Sequence, residues 1–294
     1  MTTHSTSPPH GPPRLVKGRA SSGQAKPRVL AVGAHPDDVE FGMAGTLALL
    51  REAGYEPHIM TMTKGDCGTA GLEPDEIMGI RAQEAADAAA LIGATYHPGL
   101  VRDLEVSYRM DLLRPATARI REINPHIMLV PSYDDYMEEH SETARVIVTA
   151  AFCKGMRNLF SDPARDPVCG DTYIYHAQPH GLRDRMNRYC PPELFVRIDS
   201  VIDVKENMLR CHKSQKEWLD VSQGMDAYLT TMRNLSSRVA GWTGKRSWKY
   251  AEGFRRHCHL GFAAEEKDPL REVLAKYVYA SPAYKRLLKE PRAQ

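Results

Sequence analysis

Residues 28–34, RVLAVGA, form a short and almost uninterrupted apolar run. Such a run, with β-branched residues and no polar alternation, suits a central parallel strand covered on both faces. The polar turn His35-Pro36-Asp37-Asp38 follows, and then a stretch with Met43, Leu47 and Leu50 on one face at helical spacing and Gly54 as its stop. Residues 56–63 read as a second strand. Strand, helix and strand in this order require a right-handed crossover and a parallel sheet.

The alternation continues along the chain. The Ala-rich stretch 76–92, closed by Gly93, predicts a helix. Residues 95–100 predict a strand, 111–123 an amphipathic helix, 126–131 a buried strand and 146–156 a further helix. This rhythm predicts an α/β fold, a Rossmann-like doubly wound, mostly parallel sheet with helices on both faces. Past residue 165 it loosens: strands are expected at 172–176 and 194–198, helices from 201 to 212 and 226 to 237, and a final strand around Leu260. This part is expected to complete the same domain as a C-terminal extension walling the site. The boundaries expected are a disordered N-terminal tail at 1–27, one domain at 28–265 and a C-terminal helical tail at 266–294. The tail is rich in Ser, Thr, Pro and Gly and lacks the apolar centre of a secretory signal.

Composition narrows the function classes. A formal net charge of +2 over 294 residues gives no reason to expect nucleic acid or a membrane as partner. No apolar run reaches the length of a membrane span. Six scattered cysteines, none in a C-x-x-C pair, suggest reduced thiols in a cytoplasmic protein. The contiguous His257-Cys258-His259 is a poor chelator, because neighbours on a strand point to opposite faces.

Ligands of open parallel sheets bind beyond the carboxyl ends of the strands. Two polar clusters fall there: His35-Pro36-Asp37-Asp38 after the first strand, and residues 132–140, SYDDYMEEH, after the strand ending at Val130. A catalytic zinc needs three protein ligands and one open position. An imidazole and a carboxylate from the first cluster, with an imidazole from the second, supply such a set: His35, Asp38 and His140. Pro36 stiffens the turn. Asp37 is then left beside the metal, where a carboxylate can take the proton of a water acidified by zinc. His126 opens a strand and so falls at the wrong edge; His58 and His97 fit ordinary packing.

These residues resemble a known family. Residues 34–46, AHPDDVEFGMAGT, follow the pattern A-H-P-D-D-x-E-x-G-x-G-G-T of the LmbE/PIG-L-like zinc N-deacetylases, which remove acetyl groups from amino sugars such as N-acetylglucosaminyl conjugates. The loop GDCGTAG, the run Arg81-Ala82-Gln83-Glu84-Ala85, Asp103, the segment ending in His140-Ser141-Glu142-Thr143, Cys211-His212-Lys213-Ser214-Gln215 and Ala251-Glu252-Gly253-Phe254 follow in the expected order. The resemblance covers most of residues 28–262. It implies Zn2+ on His35, Asp38 and His140, Asp37 as general base, and Arg81 and His212 near the substrate, a small N-acyl amino sugar or glycoconjugate. It also admits a homo-oligomer.

One departure stands out. The family's second loop commonly reads H-P-D-H, its first His helping to hold the tetrahedral oxyanion; here Met137-Glu138-Glu139-His140 takes that place. Met137 has no proton to donate, and one lost oxyanion donor typically costs about a hundredfold to a thousandfold in turnover. Tyr136, His176 and His180 are the candidate replacements. The alternative reading is a metal-binding, non-catalytic or regulatory protein on the same scaffold; the retained Asp37 speaks for the enzyme, because a metal clip needs no free base. A dinucleotide site would require G-x-G-x-x-G where this chain has G-A-H-P-D-D, whose carboxylates would repel a pyrophosphate.

Overall fold

The structure is a computed structural model that describes residues 26–215, 218 and 228–287. The expected disordered tail therefore lies almost wholly outside the described residues. Strands β1 (Arg28–Gly33), β2 (Glu56–Thr61), β3 (Thr95–His97), β4 (Ile127–Val130), β5 (Tyr173–Ala177), β6 (Leu194–Arg197), β7 (Ala251–Arg256) and β8 (Val278–Ala280) make one sheet in the order β3-β2-β1-β4-β5-β7-β6-β8. Strands β1 to β5 are parallel neighbours. The pairs β5–β7, β7–β6 and β6–β8 are antiparallel. The doubly wound half thus matches expectation, while the far edge makes the whole sheet mixed.

The chain runs outward from β1 through β2 to β3, then returns to place β4 on the other side of β1. The winding direction reverses between β1 and β4, and a crevice opens beyond the carboxyl ends of such a pair. Both polar clusters emerge there.

Helices α1 (Asp38–Gly42), α2 (Ala44–Glu52), α3 (Pro74–Ala90), α4 (Met110–Ile123), α5 (Glu138–Cys153), α6 (Ile202–Leu209), α7 (Tyr228–Gly241), α8 (Pro269–Val273) and α9 (Pro282–Leu287) accompany the sheet, with a 3-10 turn at His180–Leu182. Side chains alternate across β1, so the sheet has two apolar faces. Val29 and Ala31 join Leu47, Leu50, Met208 and Phe254 on one, and Leu30 and Val32 join Leu113, Ile120 and Ile147 on the other.

Several boundaries differ from the sequence expectations. Helix α5 starts at Glu138, not near 146, so His140 sits in its first turn. No strand lies at Leu260; the strand is β7, and Leu260 is exposed in the turn that follows it. The stretch from 266 is not wholly helical: β8 pairs with β6, and Leu270, Leu274 and Tyr284 are buried in the main core. Short strands with partial alternation give a weak periodic signal, and only pairing partners reveal them. Among the described residues no helix is long and apolar enough to cross a membrane.

Candidate active site

The turn after β1 is held in one conformation. Asp37 adopts φ 114°, a left-handed backbone rare for any residue other than glycine. The Asp38 carboxylate accepts from the backbone N–H of Ala34 at 2.9 Å and of His35 at 2.8 Å. Arg81, buried on α3, donates to the Pro36 carbonyl at 2.7 Å and the Gly65 carbonyl at 3.2 Å. Gly33 makes the fold-back possible, since a Cβ there would meet Asp38 Cβ at 2.8 Å.

His35, Asp38 and His140 converge, each offering an atom within 4.8 Å of the others. His35 Nδ1 lies 3.6 Å, and His140 Nε2 3.4 Å, from Asp38 Oδ2. Two ligands each ~2.0–2.1 Å from a tetrahedral zinc would stand ~3.3 Å apart. The remaining ring nitrogens are also assigned. His35 Nε2 faces Glu139 at 3.0 Å and His140 Nδ1 faces Asp135 at 3.1 Å. A carboxylate on the far nitrogen fixes the tautomer and turns the near nitrogen into a ligand, the usual support of a metal-binding histidine. The donor set therefore fits a zinc-like ion.

Glu139 and Asp135 are themselves anchored. Glu139 accepts from Leu104 N at 2.6 Å, and Asp135 from Met137 N at 3.0 Å. Burial lowers the affinity of His35 for a proton, but Asp38 and Glu139 outweigh it and push its pKa up to about 9. His140 is likewise raised well above the usual value, by Asp38 and Asp135 against burial. Asp38 is held well below the carboxylate range, where burial is outweighed by His140 and His35.

Asp37 stands apart from this set. It accepts a hydrogen bond from the Tyr228 hydroxyl of α7, and Arg81 Nη2 lies 3.6 Å away. Burial pushes its pKa up, opposed chiefly by Arg81. His212, fully buried, lies 3.5 Å from Glu40. Burial depresses it, yet Glu40 and then Asp37 bring the balance above the ordinary imidazole value.

A cleft with about 1150 Å³ of empty space opens over these residues, lined among others by Asp37, Arg81, Tyr136, Met137, His180 and Trp218. Met137 lines this cleft, and its thioether has no proton to donate. Tyr136 and His180 both reach the cleft, their rings 5.9 Å apart. His176 does not line it: it pairs with the Pro131 carbonyl at 2.8 Å and with His257 at 3.0 Å. Trp242 and Trp248 pack in a separate cluster with Phe195. His58 and His97 stack on each other, and His126 bonds Tyr55. Sequence reasoning missed Asp135 and Glu139, although both lie in the polar loop it singled out. It missed Tyr228 for lack of any signal, 191 residues from Asp37.

A crevice at the switch point of an α/β sheet, floored by His35, Asp38 and His140, offers a candidate metal site. Residues 30–151 match the family profile described as PIG-L, GlcNAc-PI de-N-acetylase. Diacetylchitobiose deacetylase of Thermococcus kodakarensis is 27% identical over 236 residues, 78% of this chain and 82% of that protein. The 4-oxalmesaconate hydratase of Pseudomonas putida is 25% identical over 246 residues, 77% of this chain and 87% of that one. The solved N,N'-diacetylchitobiose deacetylase of Pyrococcus horikoshii superposes with a TM-score of 0.64 at 22% identity, covering 83% of this chain and 88% of its own. Over residues 30–151 the chain is therefore similar to the PIG-L, or LmbE-like, family.

Proposed function

We propose that the protein is a zinc-dependent deacetylase that hydrolyses the amide of an N-acyl amino sugar or a similar hydroxyl-rich amine. The family and one relative's name supply deacetylation, but another relative of similar coverage is a hydratase, so the names alone do not choose. The charge of the cleft carries the choice. Asp37, Asp38, Asp103 and Glu139 line it, and Arg81 is the one Lys or Arg among its described lining residues. That guanidinium is already engaged by two backbone carbonyls and Asp37. Among its described lining residues the cleft thus has no guanidinium or ammonium left to pair a polycarboxylate, and it suits a neutral, hydroxyl-rich ligand.

Zinc held by His35, Asp38 and His140 would polarise the acyl carbonyl and acidify a water. Asp37 would take a proton from the water as its oxygen bonds to the acyl carbon and would return it to the nitrogen as the C–N bond breaks, leaving a free amine and a carboxylic acid. Burial suits it to both transfers, since a raised pKa makes the carboxylate a stronger base and a usable acid. Tyr228 and Arg81 orient it. Tyr136 and His180 supply the donors in the cleft that Met137 lacks. His212 and Glu40 form a buried pair behind Asp37 that fixes the local field.

The test is zinc analysis combined with amine release across a panel of N-acetyl amino sugars, run beside water addition to unsaturated polycarboxylic acids. About one zinc per chain with amine release is expected. Hydration without amine release would favour the hydratase reading, and stoichiometric zinc with neither reaction would favour a non-catalytic metal protein.

A further inference from the structure

A second cleft meets the first at Asp38 and His140, and its character is different. It contains about 690 Å³ of empty space and is walled by Phe41, Met43, Leu182, Met232, Leu235 and Val239. Phe41 and His180 also border both clefts. Of its other charged lining residues, Lys205 and Glu252 are paired with each other at 2.5 Å and buried, and Asp135 faces His140 Nδ1 at 3.1 Å. Glu252 is further occupied in accepting from the N–H groups of Gly45 at 2.9 Å and Thr46 at 2.7 Å. Asp37 and Arg81 line only the polar cleft.

A scissile amide seated at the His-Asp-His triad divides its substrate into an acyl part and an amine part. Two clefts diverge from that point, one lined by Asp37, Asp103, Glu139 and Arg81, the other by a wall of Met43, Leu182, Met232, Leu235 and Val239. The hydroxyl-bearing amine belongs with the carboxylates of the polar cleft, which leaves the apolar cleft to the acyl part. The single methyl of an acetyl group would cover little of a wall drawn from α1, α7 and β7. Resting on the deacylation reading above, we propose that the apolar cleft is an acyl-chain site, and that the preferred substrates carry a linear acyl group longer than acetyl.

The proposal predicts a chain-length dependence, because each methylene buried in apolar surroundings is worth about fourfold in affinity. Two series on the zinc-loaded protein test it. In the first, kcat/KM is measured for N-acetyl-, N-butanoyl-, N-hexanoyl- and N-octanoylglucosamine; in the second, binding of acetate, butanoate and hexanoate is measured by calorimetry. A hexanoyl-to-acetyl ratio of about tenfold or more is expected in both, and Leu235→Trp and Val239→Phe should each collapse it. Either variant suffices if the other fails to fold, and the chain-length series needs neither. Tighter hexanoate binding that both variants abolish, with no amine released from any sugar, keeps the acyl site and overturns the deacylase reading. Release from N-acetylglucosamine with a flat or falling series overturns the acyl site and leaves deacylation standing. A preference that survives both substitutions also overturns it, by placing the chain elsewhere.

Discussion

At the scale of single residues, the two neighbouring aspartates are held differently, because different atoms surround them. Asp38 is tied to two backbone N–H groups and two imidazoles; Asp37 faces a phenol and a guanidinium. Asp37→Asn should keep bound zinc and lose at least about a hundredfold in turnover, as expected for removal of a general base; unchanged turnover would remove Asp37 from the reaction. The Tyr228 hydrogen bond favours the ionised form of Asp37. Tyr228→Phe should therefore raise the Asp37 pKa and move the acid limb of the rate profile to higher pH, since a base is lost as pH falls through its pKa. A profile that keeps its limb and falls only in height would assign Tyr228 another role. The two histidines proposed as metal ligands give a third expectation. With His35 raised to about 9 and His140 also raised, both carry protons at neutral pH before metal arrives. Zinc binding should release protons, read as a dependence of binding heat on buffer ionisation, and affinity should climb as pH rises towards 9. In metal-free protein the same shift stabilises the fold fully below about 6.5, and that contribution is lost as pH rises through about 9.

At the scale of elements, helix α2 begins beside the site with no side-chain cap of its own, and Glu252 of β7 supplies one from across the fold. The same carboxylate neutralises Lys205 of α6. Glu252→Ala would orphan two helix N–H groups and leave a buried ammonium unpaired, a loss of about 3–5 kcal/mol. Denaturant titration checks this, and adding Lys205→Met should restore much of the stability if the unpaired charge is the cause. The pattern around β1 and β4 was legible in the sequence because fully buried parallel strands leave continuous apolar runs. The early start of α5 was not legible, since residues 138–145 are mostly polar and look like loop, yet Glu139, His140 and Glu142 are buried by partners distant in sequence.

At the scale of the whole molecule, the C-terminal segment is part of the sheet and core. Removing residues 266–294 would delete β8 and expose the contacts of Leu270, Leu274 and Tyr284. Each such side chain contributes about 1.5–3 kcal/mol on burial, so together they rival the ~5–15 kcal/mol net stability of a domain. The truncated chain should fail to give a cooperative unfolding transition; a cooperative one near that of the full chain would show the segment to be dispensable.

The sequence by itself determined the β1–turn–helix unit, the sheet edge where ligands gather, and the choice of His35, Asp38 and His140 as a convergent set, with Asp37 beside them. These follow from local periodicity and from the rule that parallel strands present their carboxyl ends on one side. Tertiary structure alone decided which groups sit behind those residues: Glu139 on His35, Asp135 on His140, and Tyr228 on Asp37. It also decided that a second cleft, walled by Met43, Met232, Leu235 and Val239, borders the first at Asp38 and His140. Contacts between residues far apart in the chain carry no periodic signal, and a cavity is a property of the space between elements, so neither is written in any one segment.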